Sequence, residues 1–336
     1  MKKIAALLHL QFCQSLIGNL QTVMFKNSSN PAKNIQFNLQ SMEITNALSL
    51  ESVCPDEAEI KKININVIDN YSKLTLSLFF LPLLLLTSIV LFLYYHNALS
   101  VHGYIEIQKN SFLFLNSKLS HFPSFEYNLT QLGDALIFLS FLSLFIVYAP
   151  KIWESLLLAL LVSSISCSLK KMFAVPRPAV MFNNNSFVIV GKTLCGNNSL
   201  PSGHSTVIFT MLTVLLFALM PKKRSHKFIW IFSTIIGGLI FASSRIGVGA
   251  HYPLDVIIGC IIGYISALLG IFISRKYKIL NWIGNKKYYP FFIILLLVFT
   301  VLTIGRIINE NLIIYYLSLI SLLISLYKIT TIYVKK

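Results

Sequence analysis

The sequence predicts an all-α integral membrane protein, and three observations carry that prediction. Of 336 residues, 55% are hydrophobic and only 12% are charged, about half the charge of an average soluble domain. The mean hydropathy is +0.71. The apolar residues gather into eight runs, each near the roughly 20 residues that cross a bilayer core about 30 Å thick as a helix.

Residues 1–72, which precede the first run, have another composition, rich in Asn and Ser, with "PDEAEIKK" near their end. Their opening, "MKKIAALLHLQFC", resembles a signal peptide only faintly, because His9 and Gln11 interrupt the short apolar stretch and no cleavage site follows. Residues 1–72 are therefore read as a cytoplasmic extension, partly helical or disordered. The eight runs then follow at Leu74–Tyr95, Leu129–Ala149, Trp153–Phe173, Ser205–Met220, Phe228–Ser243, Pro253–Ser274, Pro290–Ile308 and Leu312–Ile329, the fourth and fifth being the shortest.

Lys and Arg collect in "PKKRSHK" (221–227), "RKYK" (275–278), "NKKYY" (285–289) and the final "VKK". If every run crosses once, all four clusters fall on one side, which the positive-inside rule makes cytoplasmic. The loops 96–128, 171–204 and 246–252 then share the opposite face. The formal charge of +16 is distributed as membrane-flanking clusters, which excludes a nucleic-acid-binding domain. The five cysteines form neither a disulfide framework nor a metal motif.

Three short segments on the non-cytoplasmic face hold most of the unusual polar residues. "KKMFAVPRP" (170–178) places Lys170 seven residues before Arg177. The two would share a face on a continuous helix, but Pro176 and Pro178 favour a break before Arg177. Alone, the segment is an interfacial cluster of snorkelling cations. "PSGH" (201–204) leads turn residues into an apolar helix, whose N-terminus offers free N–H groups to an anion. Ser202 or Ser205 could equally be an ordinary cap, which leaves His204 unexplained. In "SRIGVGAHYPLD" (244–255), Arg245 closes one run, and His251 and Asp255 stand four apart, so the carboxylate can orient the imidazole. An aspartate inside an apolar helix is costly unless paired.

Jointly, these residues supply cations and N–H donors for phosphate oxygens, a nucleophile, and an acid for a leaving oxygen, the inventory that a phosphomonoester requires. Lys170 with six residues before Arg177-Pro178, then Pro201-Ser202-Gly203-His204, then Ser244-Arg245 with five residues before His251 and three more before Asp255, resembles the complete three-part signature of the type 2 phosphatidic acid phosphatase (PAP2) superfamily, in its membrane lipid phosphatase branch. The resemblance covers roughly residues 72–277. It implies a six-helix transmembrane catalytic core (73–277), to which this chain adds its N-terminal extension and two further C-terminal helices (278–336).

By the same resemblance, Lys170, Arg177 and Arg245 would hold phosphate oxygens, with Ser202 and the backbone N–H groups of Gly203 and His204 completing the cradle. His251 would attack phosphorus to form a phosphohistidine, Asp255 would orient it, and His204 would protonate the leaving alkoxide and then activate water. No metal or other cofactor is implied. Lys171 adjoins Lys170, and only the spacing selects between them; Leu200 stands where the family often has an aromatic residue.

The expected function is hydrolysis of a membrane lipid phosphate or diphosphate at the outer, periplasmic face of a bacterial cytoplasmic membrane. Undecaprenyl diphosphate, lipid A phosphate and glycerophospholipid phosphates are the candidate substrates. Transfer of the phosphoryl group to a lipid acceptor is the enzymatic alternative, and a lipid transporter or scramblase the alternative of another class. The vanadium haloperoxidases that share the signature are soluble, unlike this chain. A transporter would spread its charges through the bilayer depth and show paired repeats, whereas these charges lie on one face and no repeat is visible.

Overall fold

Local chemistry explains where most of the helices begin and end. The computed structural model describes residues 57–183 and 185–334, so most of the predicted extension lies outside the described residues. Residues Ile60–Tyr333 form one compact unit, and all regular structure among the described residues is helical.

Helix α1 (Glu57–Ser72) belongs to the extension. It buries Val67 and Tyr71, and the Tyr71 hydroxyl meets the Ser155 hydroxyl at 2.8 Å. A 3-10 turn at Leu76–Phe79 leads into α2 (Phe80–Tyr95), where Phe80 and Leu91 are 71% and 60% exposed. A continuous apolar surface of that kind suits lipid tails, not water.

The stretch read as an external loop contains α3 (Val101–Glu106), α4 (Lys109–Leu119) and α5 (Pro123–Gln131). Ser100 caps α3 by accepting the Gly103 N–H at 3.1 Å, and Pro123 occupies the first turn of α5, where its missing N–H costs nothing.

The second apolar run departs from the expectation of one continuous helix over 129–149. It divides into α6 (Ala135–Phe141) and α7 (Phe145–Tyr148). Asp134 starts α6 inside the apolar run, its carboxylate accepting the Leu136 N–H at 2.9 Å, and at the break after α6 the Ser140 and Ser143 hydroxyls donate to the Leu136 and Ser140 carbonyls at 2.8 and 2.6 Å, bonds that compete with regular helix. The third run is also divided, into α8 (Pro150–Ser163) and α9 (Ser166–Phe173). At that junction the Ser163 and Ser164 hydroxyls donate to the Leu160 and Leu161 carbonyls at 2.8 and 2.6 Å, bonds that compete with regular helix. Helix α9 stops at Ala174, in the left-handed region at φ 47°. Lys170 and Arg177 therefore sit on different segments, as the prolines predict, and the short α10 (Pro178–Met181) follows.

Helix α11 (Gly203–Ala218) has 16 residues and rises about 24 Å, less than a full bilayer core. The fifth run, expected to be among the shortest, is instead the 24-residue α12 (Arg224–Gly247), because polar residues at both ends join the helix. Helices α13 (Pro253–Lys276), α14 (Tyr289–Glu310) and α15 (Ile313–Val334) complete the chain. Among the described residues, six helical stretches have the length and apolar composition to cross a membrane: 76–95, 150–181, 224–247, 253–276, 286–310 and 313–334.

Packing depends on small residues. A methyl group on Gly259 would lie 2.6 Å from the Ser202 carbonyl oxygen, and one on Gly263 would strike that of Thr206, so α11 and α13 touch backbone to backbone. Close approach of this kind replaces the hydrophobic drive that lipid does not provide. At one end of the unit, Asn70 donates to the carbonyls of Ala218 and Met220 at 2.9 and 3.2 Å, and Arg275 donates to that of Leu74 at 2.8 Å. The basic turns after α11 and α13 thus share that end. At the other end, Asp134 pairs with Arg306 at 2.9 Å, and Asn128 accepts the Ile314 N–H at 3.1 Å.

Candidate active site

The three polar segments meet at the end of the unit away from the basic turns. Arg245 lies in the last turn of α12, and its carbonyl accepts the N–H groups of Ala250 and His251 at 3.0 and 3.2 Å. Gly249, at φ 75°, lets the chain turn back so tightly. Pro253 then opens α13, and Asp255 lies in its first turn. This loop fixes the His251 backbone beside Arg245.

His251 is buried. Its Nδ1 lies 3.5 Å from Asp255 Oδ2 and 3.4 Å from Ser199 Oγ, and its Nε2 lies 3.4 Å from Arg177 Nη1. A carboxylate beside Nδ1 favours the proton there, leaving the Nε2 lone pair toward Arg177. Asp255 is itself fully engaged: Ser199 donates to Oδ2 at 2.5 Å, Tyr104 donates to Oδ1 at 2.7 Å, and the Tyr252 N–H donates to Oδ2 at 3.1 Å. Burial, reinforced by the positive charges of Arg177, Arg245 and Lys170, holds His251 well below its ordinary value of 6.5. It is a neutral imidazole at neutral pH. Burial and the Asp255 charge push the Tyr104 phenol well above 10, so it remains a donor.

Both arginines are buried, and their hydrogen bonds run to neutral partners. Arg177 donates through Nε to Asn198 Oδ1 at 2.7 Å and through Nη1 to the Ala250 carbonyl at 3.1 Å. Arg245 donates to Thr130 Oγ1 at 2.6 Å, while its buried Nε has no partner among the described residues. An unpaired buried donor of this kind is available to an arriving anion. Lys170 belongs to the same group, since a methyl on Gly203 would lie 3.5 Å from its ammonium.

Ser202 is the N-cap of α11. Its Oγ accepts from the Ser205 N–H at 3.4 Å and the Ser205 hydroxyl at 2.9 Å, the ordinary capping role considered above, and as an acceptor in both bonds it keeps its own proton to donate. Gly203 begins the helix, and His204 follows with its ring against Gly133. His204 and Arg245 line a cavity of about 690 Å³.

Sequence reasoning missed the residues that hold this group in place. Ser199, which bridges His251 and Asp255, lies inside "GNNSLPSGH", whose composition signals only a turn. Asn198, which grips Arg177, lies beside it. Tyr104, Thr130 and Gly133 carry no local signal, because each reaches the site from a distant helix or turn.

Residues 151–279 match the family model described as the PAP2 superfamily. The chain is 26% identical over 137 residues to an undecaprenyl-diphosphatase from Sulfolobus acidocaldarius, covering 40% of this chain and 62% of that protein. It is 35% identical over 85 residues to the bacitracin transport permease protein BcrC from Bacillus licheniformis, covering 25% of this chain and 38% of that protein. The chain thus spans less than two thirds of either relative. The crystal structure of LpxE from Aquifex aeolicus aligns at a TM-score of 0.40 with 28% identity, covering 51% of this chain and 96% of that one.

Proposed function

We propose that this chain is a membrane phosphatase that removes a phosphoryl group from a lipid phosphate or diphosphate through a phosphohistidine on His251. The observation that carries this reading is the arrangement around His251: Nδ1 faces Asp255 and Ser199, and Nε2 faces the Arg177 guanidinium, 3.4 Å away. The name of one relative, undecaprenyl-diphosphatase, supports a lipid-linked phosphate as substrate.

In the first step the Nε2 lone pair attacks the terminal phosphorus, an N–P bond forms, and the P–O bond to the leaving oxygen breaks, an alkoxide oxygen in a lipid phosphate and the oxygen of the lipid monophosphate in a diphosphate. The departing oxygen takes a proton from His204. Arg177, Arg245 and Lys170 stabilise the charge on the non-bridging oxygens, together with the N–H groups opening α11. Asp255 stabilises the positive charge that the imidazole gains. In the second step His204 takes a proton from water, the oxygen attacks phosphorus, and the N–P bond breaks to release inorganic phosphate. The reacting groups are imidazoles and fixed cations, which supports chemistry without a metal. The site lies at the end opposite the basic turns, which favours the outer, periplasmic face of a cytoplasmic membrane.

The test is phosphate release from lipid phosphates and diphosphates by purified protein in detergent with excess EDTA. Wild type should turn over and His251→Ala should lose at least about 10⁴-fold, the scale of removing a covalent nucleophile. Full activity in that variant would contradict the mechanism.

A further inference from the structure

The cavity above His204 and Arg245 is only partly built by the matched segment. One wall comes from α5, with Tyr127, Thr130 and Gln131, and another from the turn joining α14 to α15, with Arg306, Asn309, Glu310 and Tyr315. Both walls fall outside residues 151–279. A group attached to a phosphate held at His204 and Arg245 can reach them.

We propose that the α14–α15 turn selects the substrate's head group, and that this group is uncharged and rich in hydroxyls, a sugar or similar polyol, rather than a second phosphoryl group. The proposal rests on the phosphatase reading above and specifies its substrate class.

The charges on this wall are already paired. Arg306 meets Asp134 at 2.9 Å, and Lys192 meets Glu310 at 3.8 Å. Tyr315 adds a hydrogen bond to Glu310 at 2.9 Å. The two cations and two carboxylates sum to zero. A second phosphoryl group here would have to draw Arg306 from its carboxylate and lie close to Glu310, whose like charge opposes it. The contrast with Arg245, which lines the cavity, and with Arg177 beside His251 is direct, since both donate to neutral oxygens. The site therefore separates a cationic floor for one phosphate from a neutral wall.

The remaining polar groups on the two walls suit hydroxyls. The Gln131 and Asn309 amides each donate and accept, and the Glu310 carboxylate accepts from O–H donors. Asn309 is exposed and Gln131 and Glu310 are half-buried, so water competes for these groups and each hydroxyl they bond favours a ligand that carries it by a modest factor.

The experiment compares three amphiphiles on the full-length protein: a lipid-linked sugar phosphate with free ring hydroxyls, a polyisoprenyl diphosphate, and a plain long-chain alkyl phosphate. Wild type should show the highest kcat/KM on the sugar phosphate. In Asn309→Ala and Glu310→Gln, the ratio of kcat/KM for the sugar phosphate over the alkyl phosphate should fall about tenfold, through a rise in KM. A ratio between two substrates on one preparation cancels any loss of folded protein. An unchanged ratio in both variants would overturn the proposal, as would a wild-type preference for the diphosphate that Arg306→Ala removes, and either result would leave the phosphatase reading standing. Release of phosphate from none of the three would refute that reading and this one with it.

Discussion

Gly133 carries no reactive group, yet placing a methyl on it should disable the acid. The new carbon would lie 2.5 Å from His204 Cβ and 2.8 Å from Cδ2, about 1 Å inside ordinary carbon–carbon contact. The glycine has little room to retreat. Its N–H is bonded to the Thr130 carbonyl at 3.1 Å, the next N–H is bonded to that of Gln131 at 3.0 Å, and Asp134 is paired with Arg306. The imidazole must therefore give way. A displacement near 1 Å costs roughly 10²-fold in rate, or about 2.7 kcal/mol of barrier. The assay is kcat/KM for two substrates, which reports the steps up to phosphoenzyme formation. On an alkyl phosphate, whose leaving oxygen needs a proton, Gly133→Ala should lose about 100-fold; on p-nitrophenyl phosphate, whose phenolate leaves unaided, the loss should be under about tenfold. Equal losses on both, or near wild-type activity on the alkyl phosphate, would refute the assignment of His204 as the proton donor.

Two further outcomes follow from the surroundings of His251. Ser199→Ala removes the 2.5 Å bond to Asp255 and the 3.4 Å contact to His251, so thermal unfolding should show a loss of about 1–3 kcal/mol for a buried acceptor deprived of its donor, with kcat falling more than KM changes. The second is pH dependence. Because the folded-state value of His251 lies below its unfolded value of about 6.5, the unfolded chain binds the extra proton between the two values. Its contribution to stability is present above about pH 6.5 and is lost as pH falls toward the folded value. Melting of wild type against His251→Gln at pH 7.5 and 5.5 should show the wild type losing more on acidification, and a reversed difference would contradict a neutral buried imidazole.

The features legible in the sequence are those whose cause is local. The eight apolar runs all contain helix, the prolines around Arg177 end α9 where their missing N–H groups predict, and His251 and Asp255 face each other because they are four residues apart across a helix start. The breaks were not legible. The Asp134 cap and the Ser140 and Ser143 hydroxyls divide an apolar run that hydropathy averages into one span, and polar residues at the ends of α12 lengthen a helix that hydropathy shortens. Within the site, Ser199 was readable only as turn, while Tyr104 reaches Asp255 across 151 residues of chain, a contact that follows from packing alone. The same holds for the wall formed by Arg306 and Glu310, since nothing in a C-terminal apolar run announces that its turn will lie over a distant histidine.

The most direct test is to trap the phosphoryl group. His204→Gln retains the nucleophile but lacks the base that activates water, so with p-nitrophenyl phosphate it should accumulate a covalent phosphoenzyme. Alkaline quenching, which preserves phosphohistidine, followed by peptide mass spectrometry should find one phosphoryl group on the peptide bearing His251. Phosphorylation of another residue, or turnover with no phosphoenzyme at any time, would contradict the account.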